Sequence, residues 1–232
     1  MSHISLRVGL NGLRHLAAQG SVWPSIDYEL ADLKARGLLR GIVLNAGCGW
    51  REIGHLVEGT IVNQDLSWPG DTRTNVDIFS PLHTIPRPDG TFDCVICIAV
   101  LEHVANPVEV VRELFRVTKP GGYMVASVPF LQPEHKIPTD FQRYTRDGLQ
   151  ALFTNAGFVV DEVRPMFSVY HSLHWITYEW LHMRDTFAYK ALRIILLPLL
   201  LLKARRSTLV SDKVASVFRL IARKPVLSSP IH

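Results

Sequence analysis

The stretch Gly41-Ile-Val-Leu-Asn-Ala-Gly-Cys-Gly-Trp50 decides how this 232-residue chain folds. Ile42, Val43 and Leu44 form a short apolar run, the pattern of a buried strand. They lead into a tight turn with glycines at 47 and 49. Glycine is needed where backbone turns sharply or must lie against a ligand with no Cβ between them. A helix is expected to start just beyond, near Glu52. Strand, glycine turn and helix N-terminus in that order make a nucleotide-type site at the carboxyl end of a parallel strand.

Outward from this strand the chain alternates. Residues 42–45 are read as strand one, 52–58 as a helix, and 60–64 as strand two, ending at Asp65. A polar link with Pro and Gly, residues 68–75, stands where a long helix would be. Val76-Asp77-Ile78 is a short third strand. The unbroken apolar run 92–99 is a central strand. Residues 106–117 are helical, with Pro107 in the first turn and Val108, Val111, Leu114 and Phe115 at core spacing. Pro120-Gly-Gly122 is a turn and 123–128 a strand. Thr145 caps a helix over 145–156 that Gly157 stops, and 158–163 is a strand. Before all of these, Ile26, Leu30 and Leu33 mark a helix capped by Ser25 or Asp27 and ended by Gly37. The segment before that helix, with Arg14, His15 and Trp23, is expected to pack on the surface or over the pocket. The βαβ rhythm predicts an α/β fold with a doubly wound, mostly parallel sheet and right-handed crossovers.

Size suits one such domain with an insertion, and an apolar content of 47% supplies an ample core. Residues 1–20 lack the apolar run of a secretory signal, and Cys48, Cys94 and Cys97 suggest no disulfide framework, so a reducing cytoplasm is expected. The net charge of +4 is unevenly spread. Residues 188–232 carry nine Lys/Arg and one acid, Asp212, while the rest of the chain sums to −4. A mildly acidic body with a basic, partly apolar tail does not suit a nucleic-acid partner; an anionic membrane surface fits better.

Asp65 stands at the end of strand two, where a carboxylate can accept both ribose hydroxyl protons. A dinucleotide site wants a third glycine where this chain has Glu52, whose charge would oppose a pyrophosphate. A nucleoside without phosphate fits better.

On these residues the segment from about 40 to 166 resembles the class I S-adenosylmethionine-dependent methyltransferases, in particular a small bacterial subgroup often linked to surface-glycan pathways. Four ordered motifs carry the resemblance: Leu44-Asn-Ala-Gly-Cys-Gly49; Asn63-Gln-Asp-Leu66; Val76-Asp-Ile78, followed by Ile85-Pro86 and Asp89-Gly-Thr-Phe-Asp93; and Leu101-Glu-His-Val104 with Val117-Thr-Lys-Pro-Gly-Gly122. The resemblance implies a seven-stranded Rossmann-like sheet whose last strand is antiparallel, and S-adenosylmethionine as cofactor. It implies that Gly47, Cys48 and Gly49 line the methionine and ribose side and that Asp65, followed by Leu66, binds the ribose hydroxyls. Asp77 would hold the adenine amino group, Ile78 would pack on the ring, and Ala99 would face the sulfonium. The family usually has an acid at position 45. Asn45 can accept a hydrogen bond but offers the methionine ammonium no counter-charge. Arg51 replaces a frequent third glycine.

Methyl transfer is an in-line displacement that chiefly needs alignment and exclusion of water, with a base only where the acceptor must lose a proton. The acceptor residues are sought after the strand at 123–128, in Pro129-Phe-Leu-Gln-Pro-Glu-His135-Lys-Ile-Pro-Thr-Asp140-Phe-Gln-Arg143-Tyr-Thr145, which is similar to a signature of the same subgroup. His135 is the candidate general base or acceptor-binding group; it can also simply brace the loop. Asp140 and Arg143 can orient acceptor hydroxyls or form one salt bridge. His103 is expected to cap a helix or line the site. Cys94 and Cys97, three apart on a strand, point to opposite faces and read as small buried hydrophobes. His171 and His174 can share a helix face, but no third ligand accompanies them, so no metal is expected.

The run from Ala191 to Leu202 is nearly all Leu, Ile and Ala, and Lys203, Arg205 and Arg206 follow. Fewer than about 20 apolar residues do not span a bilayer. Residues 216–223 fit a strand or, with Val214, Val217, Phe218 and Ile221 on one face, a helix. The resemblance makes them the last strand, and the apolar stretch an insertion before it. The expected organisation is a helical cover over 1–40, a cofactor-binding core over 41–165, a helical apolar insertion over 166–212 serving as lid or membrane patch, and the last strand and tail over 213–232. Peripheral contact with the inner membrane face would run from Ala191 to Arg206; a buried helix or an oligomer interface is the alternative. The expected activity is methyl transfer to a hydroxyl or amine of a glycan, lipid-linked saccharide or related small metabolite. A lipophilic quinone or polyketide acceptor, or a non-catalytic cofactor-binding partner in glycan assembly, are the rivals.

Overall fold

The computed structural model describes residues 26–136 and 138–226. The readings of Arg14, His15, Trp23 and Ser25 lie outside them. Strands β1 (Arg40–Ala46), β2 (Glu58–Asp65), β3 (Ile78–Phe79), β4 (Phe92–Ile98), β5 (Thr118–Pro129), β6 (Val159–Met166) and β7 (Val217–Arg223) form one sheet. Its order is β3-β2-β1-β4-β5-β7-β6. All neighbours are parallel except β7, which runs antiparallel to both β5 and β6. The doubly wound sheet with an antiparallel last strand is thus the fold the motifs implied. The order reverses at β1, so the crevice outside the carboxyl ends of β1 and β4 is the natural ligand position.

The ambiguity over 216–223 resolves toward strand. Six consecutive residues from Val217 to Ala222 are buried, which a one-faced helix could not achieve. A strand paired on both sides and covered on both faces can.

Helices α1 (Ile26–Ala35), α2 (Pro107–Val117), α3 (Arg146–Asn155), α4 (Val169–His182) and α5 (Phe187–Arg206) complete the chain. Asn106 caps α2 by accepting from Glu109 N, and Pro107 opens it. Val110, Val111, Leu114 and Val117 face the core, whereas Val108, expected there, is exposed. Thr145 caps α3 by accepting from Gly148 N. One core, with Leu114, Phe153 and Cys97, lies under α2 and α3; the other, with Leu30, Leu33 and Cys94, lies under α1. Cys94 and Cys97 therefore serve opposite faces, and burial pushes both thiols up to about 12.

The helix expected from Glu52 is missing. Only one 3-10 turn, Gly54–Leu56, stands there, because β2 already begins at Glu58. Too few residues separate Ala46 from Glu58 for a glycine turn, a helix and a return connection.

Arg219 on β7 is fully buried and reaches α1. Its guanidinium donates to both Asp32 carboxylate oxygens, at 2.6 and 2.5 Å, and to the Glu29 carbonyl at 3.0 Å. This pair fixes α1 across the sheet. Removing one member of a buried ion pair strands the other, at a typical cost of about 3 kcal/mol. Asp32→Ala is expected to lower unfolding free energy in urea by about that much. Asp32→Leu with Arg219→Met should recover most of the loss.

Candidate functional site

The glycine turn is bound to β2. Gly47 N and Cys48 N both donate to the Gln64 carbonyl, at 2.9 and 3.0 Å. The fully buried Gln64 side chain bridges from Gly47 N to the Ser80 carbonyl. Gly47 and Gly49 take φ of +68° and +56°. A Cβ at Gly47 would sit 2.5 Å from Val100 Cγ2, whereas one at Gly49 would meet nothing within 4 Å. Gly47 is thus required by packing, and Gly49 leaves open a cradle beside Asp65. Arg51 folds back over the turn, donating to the Gly47 and Cys48 carbonyls at 2.9 and 3.2 Å. It supplies the positive charge that a helix N-terminus would otherwise bring. Asn45 is buried and donates to Asn63 Oδ1 on β2 at 2.9 Å. Burial pushes the Cys48 thiol up to about 11, and the neighbouring Asp65 carboxylate adds to this.

Asp65 is already a hub. Its Oδ2 accepts from Gly49 N at 2.7 Å and from Arg73 at 2.6 Å, and its Oδ1 accepts from Leu66 N at 2.7 Å. A carboxylate offers about four acceptor positions, so Oδ1 retains capacity for a hydroxyl. Arg73, which no motif indicated, is buried between Asp65 and Asp71 and stacks 3.8 Å from the Trp68 ring centroid. Asp77 brackets Asn63, accepting its N–H and donating to its carbonyl, both at 2.8 Å. Ile78 is buried and presents no open face to a ring. Its neighbour Phe79, paired with Asp65 across the strands, is half exposed.

At the carboxyl ends of β4 and β5 lies a cavity of about 280 Å³, lined among others by Glu29, Arg51, Ala99, Glu102, His135 and Trp175. Ala99 and Phe167, both on its wall, are the two non-glycine residues among those described with left-handed φ, +53° and +63°. Such strain gathers where a structure over-determines its backbone, commonly at functional sites. Ala99 N donates to the Ser127 carbonyl, which holds the turn. Glu29 reaches in from α1 and accepts from Ser127 Oγ at 2.5 Å. Burial raises its carboxyl above the ordinary value, against the opposing pull of that hydrogen bond and of Arg51.

Two loops bring the polar residues together. Residues 138–145 are stapled to the turn Leu101–His103. Phe141 N donates to the Glu102 carbonyl, Gln142 to the Leu101 and Val104 carbonyls, and Tyr144 Oη to Leu101. Asp140 and Arg143 form the short ion pair that was one of their two expected roles. Asp140 also accepts from His135 N at 2.6 Å. His135 then lies with Nε2 3.7 Å from Glu102 Oε1, and His103 Nε2 lies 3.8 Å from the same oxygen. His103 caps no helix; Asn106 does that. Glu102, unnoticed within the Leu-Glu-His motif, is fully buried, and neither carboxylate oxygen has a hydrogen-bond partner among the described residues. His171 and His174 are buried on α4, and desolvation lowers the basicity of His174.

The comparisons with known proteins bear on the fold. The family profile described as "Methyltransferase domain" matches residues 54–126, from just past the glycine turn into β5. A ubiquinone biosynthesis O-methyltransferase of Vibrio parahaemolyticus is 29% identical over 40% of this chain and 46% of its own length. Among solved structures, an S-adenosylmethionine-dependent methyltransferase from Mesorhizobium loti superposes with a TM-score of 0.53 at 15% identity, over 86% of this chain and 98% of its own. The [4+2]-cyclase SpnF superposes at 0.56 and 19% identity, over 85% and 81%. The chain spans between 16% and 54% of the length of the curated relatives it matches. Residues 54–126 thus resemble the methyltransferase-domain family, and the sheet has the fold of these solved structures.

The Asp140 carboxyl is held down to about 2, chiefly by Arg143 and also by His135 N–H. Its pKa is lower folded than unfolded, so the stability it contributes is full above the unfolded value near 3.8 and is lost as pH falls toward 2. Asp140→Asn should cost about 2 kcal/mol at pH 7. In urea titrations the gap to wild type should shrink to roughly half by pH 3.

Proposed function

We propose that the protein transfers the methyl group of S-adenosylmethionine to a hydroxyl or amine of a glycan, lipid-linked saccharide or related small acceptor. The observation that carries this reading is the cavity at the ends of β4 and β5, where Ala99 opens toward Glu102 and His135 while Trp175 and Phe167 form an aromatic roof. The Gly49 cradle and Asp65 fit the nucleoside; Asp77 and the exposed face of Phe79 fit the adenine; Arg51 fits the methionine carboxylate. The cofactor supplies an electrophilic methyl on sulfur. When bound, it would give up that methyl to an acceptor lone pair as the carbon–sulfur bond breaks, with release of S-adenosylhomocysteine. An acceptor hydroxyl or amine proton passes to the Glu102–His135 pair, the only carboxylate–imidazole pair on the described cavity wall. Asp140 and Arg143 position His135 rather than touch the acceptor.

A quinone or other lipophilic phenol is the second reading. It is favoured by the aromatic roof and by the likeness to the ubiquinone O-methyltransferase. Either acceptor class suits a membrane surface. No helix among the described residues is long and apolar enough to cross a membrane. Yet α5 exposes Phe187, Ile194, Ile195, Leu199 and Leu202, and Lys203, Arg205 and Arg206 close its last turn. That combination supports peripheral attachment to an anionic bilayer.

Calorimetry is expected to show binding of S-adenosylmethionine and S-adenosylhomocysteine, and Asp65→Ala should weaken it at least tenfold. Binding untouched by that substitution would sink the cofactor assignment. Assayed against nucleotide sugars, lipid-linked saccharides and demethylated quinols, the protein should methylate one class, with His135→Ala reducing kcat about a hundredfold. Pelleting with anionic liposomes should fall when Ile194, Ile195 and Leu199 are changed to Ser; unchanged pelleting would remove the membrane contact.

A further inference from the structure

The geometry points to a divalent transition-metal site formed by Glu102, His103 and His135, of which Glu102 and His135 line the cavity. One ligand atom from each residue lies within 4.8 Å of the others. The two Nε2 atoms stand 3.7 and 3.8 Å from Glu102 Oε1. Around a tetrahedral ion with bonds of about 2.0–2.1 Å, ligand atoms are separated by roughly 3.3 Å. Small side-chain rotations close that difference. Two imidazoles and one carboxylate are a donor set suited to zinc, iron, cobalt or nickel, and poorly suited to magnesium, which prefers oxygen.

The tautomers decide between this and a plain hydrogen-bonded cluster. His103 Nδ1 lies 2.5 Å from the Thr139 carbonyl, which can only accept. Nδ1 therefore carries the proton, and Nε2 presents a lone pair to Glu102. Around His135, the nearest group to Nδ1 is Arg143 Nη2, at 3.3 Å. Both N–H bonds of that Nη2 are already engaged, by the Pro133 carbonyl at 2.7 Å and Asp140 Oδ2 at 2.6 Å. Nδ1 is left to donate toward the Pro133 carbonyl at 3.4 Å or Asp140 Oδ2 at 3.5 Å. Again Nε2 faces Glu102 with a lone pair. Two neutral imidazole lone pairs and a buried carboxylate with no hydrogen-bond donor thus converge on one point. Such an arrangement calls for a cation. Backbone carbonyls and a carboxylate on the far ring nitrogens are the usual outer partners of metal-bound histidine. The rings stand edge to face, with centroids 5.1 Å apart, and Glu102 and His135 line the cavity, from which a further ligand could approach.

The site stands on these ligands alone and does not rest on the methyltransferase reading; a bound ion would replace the proton-accepting role given above to the Glu102–His135 pair. Full-length protein stripped with chelator and titrated with Zn²⁺ should bind one equivalent by calorimetry. With Co²⁺ as probe it should show the visible d–d absorption of a low-coordinate site. Glu102→Gln and His135→Ala should each weaken Zn²⁺ at least tenfold, while His182→Ala, a solvent-side control, should leave it unchanged. His103→Ala provides a third variant should Glu102→Gln fail to fold, which circular dichroism would reveal. The proposal is overturned by the absence of stoichiometric Zn²⁺ binding in folded protein, or by binding that these substitutions leave intact. Neither result depends on whether S-adenosylmethionine binds.

Discussion

Everything at this site depends on two backbone hydrogen bonds, those from Gly47 and Cys48 to the carbonyl of Gln64. They fix the turn after β1 to the end of β2, and so set the Gly49 cradle against the Asp65 carboxylate. A single carbonyl accepting two donors leaves the turn little freedom, and Gln64 repeats the clamp with its side chain on Ser80. Gly47 can satisfy both constraints because it has a left-handed backbone and no Cβ to strike Val100. Arg51, tied to the carbonyls of the same turn, closes it from the other side. The geometry of the turn is therefore set largely by main chain and by a buried amide, which do not change with pH.

The acceptor end is built differently. Its polar groups come from three distant parts of the chain: Glu29 on α1, Glu102 and His103 after β4, and His135 after β5. None lies on a regular strand. They are held by contacts between connections, above all the stapling of 138–145 onto the turn at 101–103, and by the Arg219–Asp32 pair that anchors α1. Asp140 and Arg143 matter here as scaffolding. They consume each other's charge, orient the His135 ring, and do so through a carboxyl whose ionisation survives well into acid. The α4–α5 hairpin then lays Trp175 and Phe167 over the cavity while turning its most apolar face outward.

Much of this was legible in the residues. The glycine turn, the acid closing strand two and the spacing to Asp77 led directly to the sheet, because they are local and their meaning survives without tertiary context. The missing helix after Trp50 was not legible from the motif, since glycine turns ordinarily precede helices; only the early start of β2 excludes one. The exposure of Phe79 beside the buried Ile78 was not legible either, because alternation along a strand shows which residues share a face but not which face is open. Glu102 and Glu29 escaped notice for a deeper reason. An acid in an ordinary Leu-Glu-His or Tyr-Glu-Leu context looks like a solvated charge. Its burial is created by loops and helices that arrive from elsewhere, and no periodicity records that.

On the proposed function, the replacement of a helix start by Arg51 would change how affinity is distributed along the cofactor groove. A helix N-terminus spreads its attraction over several amides that no single substitution can erase. A guanidinium concentrates it in one side chain, attached by a flexible stem and anchored to carbonyls it can release. In evolutionary terms, grip on the methionine end would then be tunable at one codon, with the sheet and its glycine turn untouched.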